Sequence, residues 1–254
     1  MSKGIVISLY DYTGEALKPW AKAGYTCYAF DIQHPKEGRV HEGICYQYAD
    51  LHDKKTLRDL TSEFKLKALQ GKRVVFGMAF PVCTDLAVSG AAHFKRKEEA
   101  NPGFQDKAVS HAVWCAKMFN ELGVPYFIEN PVSVLATKWR KPDYSFHPYE
   151  YGEYIPDDEA EHPRWPDYIA PKDAYTKKTC LWTSKTFRMP QPKPTQKPNG
   201  YSTQHLKLGG KSKRTKDIRS ATPRGFATAV YEYNRPIPSA DPYRAAYYRE
   251  DELV

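Results

Sequence analysis

The stretch Lys72–Gly90, KRVVFGMAFPVCTDLAVSG, decides how this chain is read. Its first half is apolar and β-branched, the composition of a buried strand. The run breaks at Pro81, and two residues later stands Cys83. In a sheet of parallel strands the carboxyl ends carry the chemistry. A cysteine just past a proline at a strand exit is therefore expected to be accessible, whereas free cysteines elsewhere are usually small core residues. The helix start that follows offers backbone N–H groups, expected to lower the thiol pKa.

Working outward, the same texture repeats. GIVISLY reads as a strand, and TGEALKPWAKAGY as a helix with Leu17, Trp20 and Ala21 on one face. TCYAFDI is a second strand, ending at Asp31, and GICYQYADL leads to a third, ending near Asp50. TLRDLTSEFKLKALQG and DKAVSHAVWCAKMFNELG read as helices closed by Gly71 and Gly123. VPYFIENP is a fifth strand, stopped by Pro131. Strands alternating with helices imply right-handed crossovers and an α/β fold with a mostly parallel, Rossmann-like sheet.

The pattern divides the chain into three. Residues 1–131 form the expected catalytic and cofactor-binding core. Residues 132–218, rich in Pro, Tyr, Lys and His, form a small irregular insertion or target-recognition lobe. Residues 219–254 return to the core through the helical RSATPRGFATAVYEYN and end in a peripheral tail. Tyr149, Tyr151, Tyr154, Trp165 and Tyr168 read as packing of the lobe.

Composition bounds the function. The 254 residues, 41% of them hydrophobic, suffice for one full core. Lys and Arg number 38 against 30 Asp and Glu, a net charge of +8 that favours polyanionic partners. No apolar run approaches a membrane span, and the N-terminus reads as a strand and turn, not a leader. The five cysteines are scattered with no CxxC pair, which suggests neither a disulfide framework nor a zinc finger. The expectation is a soluble, cytoplasmic protein with no metal; a site from His147, His162, Asp173 and Cys180 is improbable on spacing.

At the expected strand ends stand Asp11 and Gly14, then Asp31, Asp50, Pro81 to Cys83, and Glu129 with Asn130. A carboxylate ending the second strand can accept hydrogen bonds from a ribose, and one ending the third can meet an adenine amino group. Neither GxxxxGK[ST] nor GxGxxG is present. A ligand without phosphate at the first turn fits better, and S-adenosylmethionine is such a ligand. Glu129, between YFI and NP, is expected to be desolvated, with a raised pKa, and able to donate a proton. A thiolate and a protonated carboxyl suit addition to C6 of a pyrimidine with protonation at N3, which makes C5 nucleophilic.

This ordered set resembles the C5-cytosine DNA methyltransferases, in particular a compact, largely phage-encoded branch. SLYDYTGEALKPWAKAGYTCYAFDIQH resembles their first cofactor motif, FPVCTDLAVSG their Pro-Cys motif, and IENPV their Glu-Asn motif. HPYEYG, YTKKTCLW and RSATPRGFATAV resemble later segments. The resemblance implies a methyltransferase fold and S-adenosylmethionine as cofactor, within a bacterial or phage-infected cell. It implies Cys83 as nucleophile, Glu129 as the grip on N3, and Asn130 as support of the nucleophile loop. Asp11, Gly14, Asp31, Asp50, Phe80, Pro81, Thr222 and Gly225 would line the cofactor. The first motif here is glycine-poor, Val82 and Pro131 depart from the usual residues, and the QxRxR motif is absent. Lys177 or Lys178 is expected to take part of its role, and Lys178 is placed in the catalytic set. The rivals are methylation of RNA or of a free or modified pyrimidine, and a catalytically inactive nucleic-acid-binding homologue.

A target cytosine in double-stranded DNA must be flipped out, which demands phosphate contacts. Lys211, Lys213, Arg214 and Lys216, in a stretch whose only acid is Asp217, read as a flexible basic arm that is disordered without ligand; Lys95, Arg96 and Lys97, after the nucleophile loop, read as a second cluster.

Overall fold

A computed structural model describes residues 3–200, 202–209 and 212–237. The strands are β1 (Ile5–Leu9), β2 (Thr26–Asp31), β3 (Arg39–His41), β4 (Ile44–Tyr48), β5 (Val74–Ala79), β6 (Tyr126–Pro131), β7 (Tyr144–Phe146) and β8 (Thr179–Thr183). The helices are α1 (Lys18–Lys22), α2 (Lys54–Leu69), α3 (Phe94–Ala100), α4 (Phe104–Leu122), α5 (Leu135–Lys138), α6 (Thr203–Lys207), α7 (Lys213–Ser220) and α8 (Arg224–Asn234). One eight-stranded sheet runs in the order β3-β4-β2-β1-β5-β6-β8-β7. The five strands expected from the sequence, β4-β2-β1-β5-β6, are its parallel centre.

Every residue of β1 is buried, as a central parallel strand requires. Ile5, Ile7 and Leu9 face a core that includes Phe64 of α2 and Ala112, Cys115 and Phe119 of α4. Val6 faces the other layer, where Trp20 of α1 and Phe226 and Val230 of α8 pack with Phe76. Trp20 is fully buried and stacks on Phe76 at 5.1 Å. Helices on both faces leave the strand ends as the open edges, and the carboxyl edge gathers Tyr10–Gly14, Asp31, Asp50, Phe80–Cys83 and Asn130.

Residues 132–218 are not a lobe apart from the core. β8 pairs antiparallel with β6, in the register Glu129↔Leu181 and Asn130↔Cys180, and β7 pairs with β8. Trp182 and Leu181 are fully buried in the two main core layers. The five-residue TCLWT is too short to show a period, and its burial on both faces removes the alternation that marks a strand. Tyr151 and Tyr154 likewise pack into the main core beside Phe226. A separate small cluster remains, built from Trp165, Ile169, Tyr175, Leu208, Ile218 and Ala221, with Tyr168 against it.

That cluster also corrects the reading of the basic arm. Residues 203–207 and 213–220 form two helices, α6 and α7, capped by Ser202 and Ser212 and pinned by buried Leu208 and Ile218. Lys211 and residues 238–254 lie outside the described residues. No described helix is long and apolar enough to cross a membrane.

Candidate active site

Cys83 opens a short 3-10 turn, Cys83–Asp85, directly after the Pro81–Val82 exit from β5, and it is exposed. Two stitches hold this loop against the exit of β6. The Asn130 side chain, buried, donates Nδ2 to the Pro81 carbonyl at 2.8 Å. Farther on, Val88 N donates to Val132 O (3.0 Å) and Val134 N to Leu86 O (2.9 Å), with Leu86 fully buried as the anchor. Lys97 of α3 braces the loop from outside, donating to Asp85 (2.7 Å) and to the Thr84 carbonyl (3.1 Å). Its ammonium is therefore committed within the chain, whereas Lys95 and Arg96 are exposed.

Glu129 projects from the end of β6, and its Oε1 is buried with no hydrogen-bond partner. Burial raises its pKa, opposed by the charge of Lys177. A carboxyl so placed carries its proton to higher pH than a solvated one. The Cys83 thiol is also pushed up, first by burial against the surrounding walls and then by the Glu129 carboxylate; Lys177 and a backbone hydrogen bond pull the other way. The expected lowering by the helix start is thus reversed, because a single 3-10 turn supplies little dipole while burial, and after it the neighbouring carboxylate, oppose ionisation.

Lys177, not Lys178, is the cation of this site. It acts on both Glu129 and Cys83, lines the crevice at Glu129, and donates to the Arg219 carbonyl at 3.0 Å. Lys178, just before β8, is exposed. Phe80, Phe146 and Thr222 complete the crevice. As it stands it has room for about one water.

At the first turn, Tyr10 ends β1 in the left-handed region (φ 57°), pinned by its hydroxyl to the Leu51 carbonyl at 2.7 Å. Asp11 then turns inward. It is buried and accepts from Ser8 Oγ (2.7 Å), Gly14 N (2.7 Å) and Thr13 Oγ1 (3.4 Å), with burial raising its pKa. Asp11 therefore shapes the loop from within; its carboxylate is not presented to a ligand. Gly14 takes φ 71°, and a Cβ there would stand 2.4 Å from the Tyr46 hydroxyl. Asp31 is buried at the end of β2, its Oδ1 accepting the Gln33 N–H (2.8 Å) and its Oδ2 accepting nothing from the described residues. Asp50 is half-buried and accepts the His52 N–H at 3.1 Å.

Two further placements depart from expectation. Gly225 faces the chain, not the cofactor edge: a Cβ would lie 2.2 Å from the Tyr151 carbonyl oxygen, and its N–H donates to buried Asp173 (3.0 Å). Lys213 lies 3.6 Å from the Tyr12 ring centroid and pairs with Asp217, so it is not a free phosphate contact. Arg214 and Lys216 remain exposed on α7. Sequence reasoning missed His34, whose Nε2 meets the Asp11 carbonyl (3.1 Å) beneath Tyr12, and the packed His52–His111 pair at 4.6 Å. These contacts join residues far apart in the chain, with no motif to mark them. Among the described residues no group of three or more His, Cys, Asp or Glu is gathered to hold a metal ion.

No protein-family model matches the chain, and no curated protein matches it significantly. Among solved structures it is similar to a mutant short-chain dehydrogenase/reductase of Serratia marcescens, at 11% identity and a TM-score of 0.28. The match spans 46% of this chain and about half, 52%, of that one.

Proposed function

We propose that this chain transfers a methyl group from S-adenosylmethionine to C5 of cytosine in DNA, through a covalent adduct on Cys83. One observation carries the reading: the exposed residue Cys83 and a buried carboxyl with an unpartnered oxygen leave adjacent strands, close enough for the carboxylate to raise the thiol's pKa. The ordered motif resemblance supports it independently.

The residues at the ends of β2, β4 and β5 fit an adenosine. Asp31 has a carboxylate oxygen to offer a ribose, Asp50 an oxygen near the end of β4, and Phe80 a ring at the exit of β5. When bound, S-adenosylmethionine supplies an electrophilic methyl on a sulfonium. The chain does the rest. The Cys83 thiolate attacks C6 of the cytosine, and the electron pair of the C5–C6 bond moves toward N3, which takes the proton held by Glu129. The adduct would make C5 the nucleophile that takes the methyl group as the sulfonium carbon–sulfur bond breaks and S-adenosylhomocysteine leaves. A base from solvent would then remove the C5 proton, the C6–sulfur bond would break to restore the thiolate, and N3 would return its proton to Glu129. Asn130 is a positioning residue, since it holds the Pro81 carbonyl and hence the loop. The crevice at Glu129 admits a water, so the pyrimidine reaches the carboxyl from the Cys83 side.

The test uses labelled S-adenosylmethionine and duplex DNA carrying 5-fluorocytosine, whose C5–F bond blocks the final elimination. The expected result is a labelled covalent complex that survives denaturation and is absent in Cys83→Ser. Tight DNA binding without any complex would sink the reading in favour of a binding protein. Labelling of RNA alone would move the substrate.

A further inference from the structure

The edge of the sheet opposite Cys83 holds a cleft of about 1090 Å³ at the amino ends of β1, β2 and β5. Among the described residues its lining includes Lys3, Lys67, Lys72, Arg73, Arg188 and Arg235, and no Asp or Glu. Cations near helix C-termini often serve only to offset the helix dipole, so magnitudes must decide. The C-terminal ends of α2, α4 and α8 reach this cleft, at Gln70–Gly71, Gly123 and Arg235. Lys67 is further paired with Glu63. Even with Arg188 left aside, three helix ends at about −0.5 each and that one carboxylate leave roughly +2.5 uncompensated. The excess exceeds what local structure requires.

The cleft is also built rather than incidental. Lys3, Lys72 and Arg73 are exposed and form no ion pair with the described residues. The facing wall is fixed, because buried Asn234 accepts from Arg188 N (2.9 Å) and donates to Arg188 O (2.9 Å). A concave surface whose described lining carries several cations and no acid fits a chain of phosphates.

We propose that this cleft is a second nucleic-acid surface, which takes the phosphodiester backbone of a segment other than the one presented to Cys83. It stands apart from the methyl-transfer reading, since it needs neither cofactor nor nucleophile.

The measurement is the affinity of the full chain for a fluorescent DNA duplex between about 50 and 200 mM salt, for the wild type and for Lys72→Gln/Arg73→Gln. Both residues lie in an exposed turn, and a thermal melt checks that the fold persists. Removing two phosphate contacts lowers the slope of log affinity against log salt by about 1.8, so the affinity lost across that range shrinks about twelvefold. A Lys95→Gln/Arg96→Gln variant, on the other edge, is the reference for contacts near Cys83. An unchanged slope and affinity in Lys72→Gln/Arg73→Gln overturns the proposal. So does ATP binding that depends on Lys72 and Arg73 while the duplex slope stays the same, which would make the cleft a nucleotide site. The slope is read whether or not the protein methylates, so failure of the 5-fluorocytosine trap and failure of the cleft are separate results.

Discussion

Glu129 and Cys83 hold their protons against opposite demands. The proposed chemistry needs the carboxyl protonated and the thiol ionised, and the pKa values of both are raised. The pH profile of kcat/KM is then bell-shaped, climbing up to the lower of the two pKa values and falling above the higher. Glu129→Gln removes the proton requirement. Its kcat/KM is expected to be about 10²–10⁴-fold lower, and to lose the falling limb while keeping the rise that reports the thiolate. A falling limb that persists in Glu129→Gln would remove Glu129 from the acid role. Lys177 pulls both pKa values down, so Lys177→Met is expected to move both limbs to higher pH. Lys178→Met, on the exposed side, should leave the profile in place.

At the scale of elements, the site depends on how closely strands and helices approach. α8 reaches its place because Gly225 lets the helix touch the Tyr151–Gly152 backbone, with Asp173 accepting its N–H. Backbone cannot withdraw as a flexible side chain can. Gly225→Ala is expected to cost about 1–3 kcal/mol, seen as a fall in Tm of roughly 3–10 °C. A melt unchanged from wild type would show that α8 shifts freely. The α8 helix was legible from its apolar pattern, and the glycine stood out in the same stretch. Its reason for being there was not legible, because the contact is with Tyr151, far earlier in the chain. The same holds for the loop at Cys83: FPVCTD marks the strand exit, while the Asn130 tether and the Lys97–Asp85 brace appear only when β5, β6 and α3 are brought together.

The whole molecule carries buried titratable groups of opposing sense. Burial and the neighbouring His52 and Lys107 push His111 down to about 4, and burial with Arg224 pushes His162 down to about 3. An unfolded histidine protonates near 6.5, so each loses stability as pH falls from there toward its folded value. Asp173 works the other way: burial pushes it up to about 6, and protonation then favours the folded state. Total stability is therefore a poor reporter, and a difference between variants is the clean one. Relative to wild type, His111→Phe is expected to gain about 3 kcal/mol between pH 7 and pH 4. Denaturant melts at the two pH values read this. A constant gap would mean that His111 is solvated and free to charge.

The sequence by itself determined the five parallel strands, the helices between them and the cysteine and carboxyl residues at their ends, because each is written in contiguous residues with a period or a punctuating Pro or Gly. Only the tertiary structure decided that β8 completes the sheet, that Asp11 turns inward, that Lys177 rather than Lys178 faces Glu129, and that cations from both ends of the chain line one cleft. Those outcomes depend on which way a side chain points once distant segments meet. Local residue order carries no record of an approach made between segments so far apart in the chain.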